Sequence, residues 1–134
     1  MIGIFLITHG SLGEALIQCA CHVLNKRPRQ IAQLGVAGQD DPLDVLPLAR
    51  DMLRLVDGGR GVLLLTDVFG ATPSNIALKL LQPGQVEGVA GVSLPMLLRA
   101  LTYRDKDMET LIAKAVSGGR DGVMQMKGSR DGAG

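Results

Sequence analysis

Residues 2–16, "IGIFLITHGSLGEAL", decide the fold. The apolar run from Ile2 to Ile7 is too continuous for a half-wet strand and suits one covered on both faces. It gives way at Thr8, His9 and Gly10 to a helical pattern starting near Ser11. A buried strand opening directly into a helix is the first half of a βα unit. The junction carries His9, and the question is whether that imidazole is reactive or only a polar residue at a sheet rim.

Working outward, the same rhythm repeats. "QIAQLGV" is a second strand, followed by the loop "AGQDD" and a helix that Asp41 can cap and Pro42 can open. Pro47 falls inside that helix and predicts a kink or a later true start. "RGVLLLTD" is another fully covered strand, with a helix from "TPSN" to Pro83-Gly84. "VEGVAGVS" is the fourth strand, leading into "LPMLLRAL", where Pro95 suits a first helical turn. A further helix is expected from about Lys106 to Ser117, stopped by Gly118-Gly119. The short alternating "DGVMQMK" predicts a last strand at an edge or exchanged with another subunit, and "GSRDGAG" a disordered tail. In the first helix Leu12, Leu16, Cys19, Ala20 and Val23 are expected on the buried face, with Glu14, Gln18, His22 and Asn25 in water.

The chain of 134 residues is long enough for one domain with its own core. Apolar residues make up 46% but aromatics only 2%, so aliphatic side chains must fill the interior. With 14 basic against 13 acidic side chains and no Lys/Arg cluster that stands out as a footprint for phosphate backbones, nucleic acid is not an expected partner. No apolar stretch reaches the ~20 residues a membrane span needs, and the first strand lacks the flanks of a signal peptide, so a cytoplasmic location is expected. Cys19 and Cys21, two apart on a helix, point in different directions and are read as reduced.

Alternating strands and helices predict a doubly wound α/β sheet, in which ligands bind beyond the carboxyl ends of the strands where connections leave for opposite faces. In the common order 2-1-3-4, the strands ending in His9 and Asp67 are neighbours at that point. A carboxylate that accepts the imidazole Nδ1–H fixes the tautomer and leaves Nε2 as a nucleophilic lone pair. Both strands run into helix N-termini, whose free N–H groups favour phosphate. Gly10 and Gly70 allow close backbone approach, and Ser11, Thr72 and Ser74 offer hydroxyl donors. The arrangement suits a phosphorylated histidine.

These segments resemble the enzyme IIA domain of the mannose/fructose/sorbose class of the bacterial phosphoenolpyruvate-dependent sugar phosphotransferase system (PTS). "GIFLITHGSLGEAL" is similar to the family's phosphorylation segment and "LLLTDVFGATPSNIA" to its second active-site loop. "VEGVAGVSLPMLLRAL" is similar to its fourth strand and following helix, and "SGGRDGVMQMK" to its ending. The resemblance implies a IIA domain over residues 1–128, with a tail at 129–134. It implies four parallel strands plus an antiparallel C-terminal strand exchanged in a homodimer. His9 would take a phosphoryl group on Nε2 from the carrier HPr and pass it to a separate IIB protein. Asp67 would orient the ring, and Gly70, Ala71, Thr72 and Ser74 would surround the phosphate, with no metal or organic cofactor. The membrane would be met only indirectly, through a IIC/IID transporter. Ser93 stands where the family commonly has Asn.

Other readings compete. The same site could serve regulation without transport, or the phosphotransfer subunit of a dihydroxyacetone kinase system. "LITHGS" also resembles the opening of small cobalt or iron chelatases, but His22 is the only other histidine available as a ligand. A receiver phosphorylated on Asp67 would need an acidic cluster where Thr8-His9 stands.

Overall fold

The computed structural model describes residues 1–129. Four strands, β1 (Gly3–His9), β2 (Ile31–Val36), β3 (Val62–Thr66) and β4 (Val86–Ala90), form one parallel sheet in the order β2-β1-β3-β4. Five helices connect or follow them: α1 (Leu12–Leu24), α2 (Pro42–Val56), α3 (Thr72–Leu80), α4 (Leu94–Tyr103) and α5 (Met108–Asp121). The expected α/β architecture and strand order are therefore present.

The helices cover both faces because β1 and β3 are apolar on both. Ile2, Ile4, Leu6, Leu63 and Leu65 pack with Ile17 and Ala20 of α1, Leu97 of α4 and Leu111 of α5. On the other face Phe5, Ile7, Val62 and Leu64 pack with Ala49 of α2 and Ile76 of α3. Each large aliphatic side chain buried this way contributes about 1.5–3 kcal/mol. Since α1 leaves β1 toward one face and α3 leaves β3 toward the other, the winding switches between these two central strands.

Several local expectations hold. Asp41 caps α2 by accepting the Leu43 N–H at 2.9 Å, and Pro42 sits in its first turn. Pro95 sits in the first turn of α4 as expected, and Ser93, not among the expected caps, accepts the Met96 N–H at 3.3 Å. Helix α2 runs through Pro47 from Pro42, so the later start does not occur.

Three expectations are corrected. First, α5 does not stop at Gly118-Gly119 but continues to Asp121. A Cβ on Gly118 would stand 2.9 Å from Arg99 Cβ, one on Gly119 2.8 Å from Met96 Cε, and one on Gly122 2.6 Å from Pro95 Cβ. These glycines let α5 lie against α4, and that packing outweighs their poor helix propensity. Second, the buried stripe of α1 is Gly13, Ile17 and Ala20, whereas Leu12, Cys19 and Val23 are exposed. Gly13 draws the helix onto β1 and β2, where a Cβ would lie 3.1 Å from Thr8 Oγ1 and 3.2 Å from Gln33 Cβ. Third, of the two places expected for "DGVMQMK", the edge strand within this chain does not form: residues 123–129 carry no strand, and Val123, Met124 and Met126 are exposed. Beyond Ser129, the tail expected at 129–134 lies outside the described residues.

Candidate functional site

His9 is the last residue of β1, and strand alternation puts its ring on the side of Phe5 and Ile7. Asp67 follows the last residue of β3, the neighbouring strand. The two meet although they lie far apart in sequence. His9 Nδ1 is 2.8 Å from Asp67 Oδ2, and the same oxygen accepts the His9 backbone N–H at 3.0 Å. The other carboxylate oxygen accepts the Val68 N–H at 3.0 Å.

This double grip fixes both partners. The His9 side chain is 44% exposed and that of Asp67 10%. Burial alone would raise the Asp67 pKa, but hydrogen bonds from the His9 N–H, the His9 ring and the Val68 N–H outweigh it and hold the carboxyl below its ordinary value. An ionised carboxylate on Nδ1 selects the tautomer with the proton there. Nε2 is then a lone pair with no hydrogen-bond partner among the described residues.

The two loops are shaped by backbone. Gly10 has φ +51° and Gly70 φ +91°, the left-handed region that costs glycine least. The Gly10 turn is held by its N–H on the Val36 carbonyl at 3.1 Å. It also needs Gly35 on β2, since a Cβ there would collide with the Gly10 carbonyl. Thr8, fully buried, caps α1 from outside the helix by accepting the Gly13 N–H at 2.8 Å. Sequence reasoning misses both Thr8 and Gly35; a glycine within a strand is the signal of close backbone approach that marks Gly35.

The expected phosphate ligands divide. Ser11 makes no capping bond and is exposed, and Thr72 opens α3 with its hydroxyl unengaged, so both hydroxyls are available. Gly70 is exposed and Ala71 half-buried beside it, ahead of an α3 N-terminus that no side chain caps. Ser74 departs from its expected role. It is 3% exposed, accepts the Gly70 N–H at 2.8 Å and donates its single proton to the Ala71 carbonyl at 2.9 Å. It braces the loop and has no proton left for a phosphate. Ser93 lies at the start of α4, its hydroxyl oxygen accepting the Met96 N–H. His22 is exposed on α1. Among the described residues no group of three His, Cys, Asp or Glu side chains could hold a metal ion.

The loops that follow β1 and β3 carry exposed apolar side chains: Leu12 is 40% exposed, Val68 56% and Phe69 72%. No helix among the described residues is long and apolar enough to cross a membrane.

Comparison with known proteins gives the family. The family model described as "PTS system fructose IIA component" matches residues 3–116. The mannose-specific EIIAB component of the PTS from Escherichia coli K12 is 31% identical over 129 residues, covering 94% of this chain and 40% of that protein. The same protein from Shigella flexneri matches equally, so this chain spans less than half the length of these relatives. Among solved structures, the mannose/sorbose-specific IIA subunit from Enterococcus faecalis superposes with a TM-score of 0.83 at 21% identity, over 94% of this chain and 95% of that one. The phosphotransferase system component EIIA from Streptococcus agalactiae gives a TM-score of 0.81 at 19% identity, over 93% and 97%. Sequence match, fold and strand order together show that the chain belongs to the fructose/mannose IIA family of the PTS.

Proposed function

We propose that this protein is a phosphoryl carrier that accepts phosphate on His9 Nε2 from the phosphohistidine of HPr and passes it to a IIB component for sugar uptake and phosphorylation. The observation that carries this reading is the 2.8 Å contact between His9 Nδ1 and Asp67 Oδ2 at the switch between β1 and β3. It leaves an oriented, exposed nucleophile between two helix N-termini.

The transfer balances without a cofactor. The N–P bond of the donor breaks as the Nε2–P bond forms, and the donor imidazole leaves with the bonding electrons. The proton on His9 Nδ1 stays in place, shared with Asp67. The phosphorylated ring gains positive charge, which the Asp67 carboxylate offsets, so the acceptor does not need to reorganise. Such transfers depend on alignment and on stabilising the three equatorial oxygens. Backbone N–H groups at the starts of α1 and α3 and the hydroxyls of Thr72 and Ser11 supply donors, with Gly10, Gly70 and Ala71 giving them room. The exposed Leu12, Val68 and Phe69 form an apolar docking face around the ring for HPr and IIB in turn.

The homodimer belongs to the same reading. The edge of β4 borders a groove lined by Val89, Ala90, Gly91, Met96, Val116 and Val123. The alternating segment "GVMQMK", residues 122–127, would cross to the edge of β4 in a second copy and cover that sheet edge. A cytoplasmic location follows from partners of this kind.

Intact-protein mass spectrometry after incubation with phosphoenolpyruvate, enzyme I and HPr tests the relay. Wild type gains one acid-labile phosphate and His9→Ala none. Wild type left unmodified by charged HPr would return His9 to a rim residue.

A further inference from the structure

The opposite end of the sheet holds a buried charge that the relay does not use. Arg104, just after α4, is 5% exposed. Its Nε donates to the Ile2 carbonyl at 3.1 Å and its Nη2 to the Gln30 carbonyl at 2.7 Å, while the Ile2 N–H donates back to the Arg104 carbonyl at 2.9 Å. These contacts tie the starts of β1 and β2 to the end of α4. They do not neutralise the guanidinium, because carbonyls bring no net charge. No carboxylate forms an ion pair with it among the described residues. Burial lowers the Arg104 pKa, and the field of Asp105 opposes that. A buried cation without a counter-ion is costly, far more so than a neutral donor making the same two hydrogen bonds.

Arg104 also lines a cavity of about 240 Å³. The segment between α1 and β2 supplies Lys26, Arg27 and Arg29 to its wall, against the single carboxylate of Asp105. The carbonyl-rich ends of α1 and α4 favour cations here. Lys26, Arg27, Arg29, Arg104 and the Met1 ammonium, which stands 3.9 Å from Asp105 Oδ1, surround that one carboxylate and leave a local excess of positive charge in a protein whose net charge is only +1. Leu24, Pro28 and Leu101 give the same cavity apolar walls. Arg104 Nη1 donates to no acceptor among the described residues, which leaves one arm of the fork for a ligand.

We infer that this cavity binds a small phosphomonoester, its dianionic head on Arg104 and the basic segment 26–29 and its apolar stem against Leu24, Pro28 and Leu101. A phosphate carries close to two negative charges at neutral pH and matches the excess better than a carboxylate does. The site is independent of the relay: the length of β1 separates it from His9 by about 20 Å.

A per-residue NMR titration of the full chain tests this, with phenyl phosphate as the probe and inorganic phosphate and benzoate beside it. Phenyl phosphate should give saturable shifts of the Arg104 Nε–H and of the 26–29 amides, with binding weakened about tenfold or more in Arg27→Gln/Arg29→Gln. Inorganic phosphate and benzoate should bind more weakly, lacking the stem or half of the charge. Shifts that do not saturate, that are confined to His9 and Thr72, or that are unchanged in the double variant would overturn the site. Arg104→Lys keeps the charge but loses the fork; if it folds, it should weaken phenyl phosphate binding, and undiminished affinity would remove Arg104 from the site.

Discussion

The two ends of the sheet hold polar groups in opposite ways. At the carboxyl ends of β1 and β3, Asp67 holds His9 through the ring and the backbone N–H, so charge and dipole are matched and one nitrogen is left reactive. At the amino ends, Arg104 holds two backbone carbonyls, so the chain is stitched together while its charge is left unmatched. The difference follows from the winding. Helix N-termini, with their unpaired N–H groups, gather beside His9, and helix C-termini, with their carbonyls, beside Arg104. On the proposed reading the helix N-termini at the first end receive phosphate during chemistry, whereas at the second the carbonyls hold the cations in place and those cations, Arg104 and the 26–29 segment, hold the anion.

Substitutions at the His9 end give the larger effects. His9→Ala should abolish phosphate acceptance, read by intact mass; retained phosphorylation would move the reactive group elsewhere and break the contrast. Asp67→Ala should slow acceptance by roughly 10²–10⁴, the loss expected when an orienting carboxylate is removed. A rate equal to wild type in rapid-quench experiments would deny Asp67 its role.

Smaller effects sharpen how that end is built. Gly35→Ala should destabilise the fold by about 1–3 kcal/mol in urea, because the new Cβ meets the Gly10 carbonyl and must displace the His9 turn. No destabilisation would show that the turn yields freely. Thr8→Val should cost about 1 kcal/mol through loss of the cap on Gly13, with slower phosphorylation if α1 shifts its N-terminus. The pH dependence should be smaller still. The folded-state pKa of Asp67 is depressed, so its stabilisation is full above the ordinary carboxylate value of 3.8 and is lost as pH falls through the lower folded value. Asp67→Asn should therefore flatten the acid limb of the stability curve below that pH; an unchanged limb would place the stabilisation elsewhere.

Much of the fold and the centre of the site are legible in the sequence, for reasons particular residues show. Ile4 to Ile7 and Val62 to Leu65 are buried on both faces, and an apolar run of that length without alternation, too short to span a membrane, fits a central parallel strand. His9 and Asp67 follow from the strand order and the rule that ligands sit at the winding switch. Small residues mislead. Gly118 and Gly119 resemble a helix stop, yet they serve α4–α5 packing, which only tertiary contact reveals. Gly13 and Ala20 carry little hydrophobic signal, so periodicity draws the stripe of α1 toward Leu12, Cys19 and Val23. Ser74 reads as a phosphate donor because a hydroxyl beside a helix start has that use, but loop 70–71 consumes both its lone pair and its proton. Nothing in the sequence marks Arg104, since an arginine after a helix gives no sign of burial.

The central claim is that Asp67 leaves Nε2 of His9 as the accepting atom. The most direct test is long-range ¹H–¹⁵N correlation NMR of the ring before and after phosphorylation by HPr. The unmodified ring should carry its proton on Nδ1, and the modified ring should show phosphorus coupled to Nε2. Phosphorus coupled to Nδ1, or a starting proton on Nε2, would contradict the account.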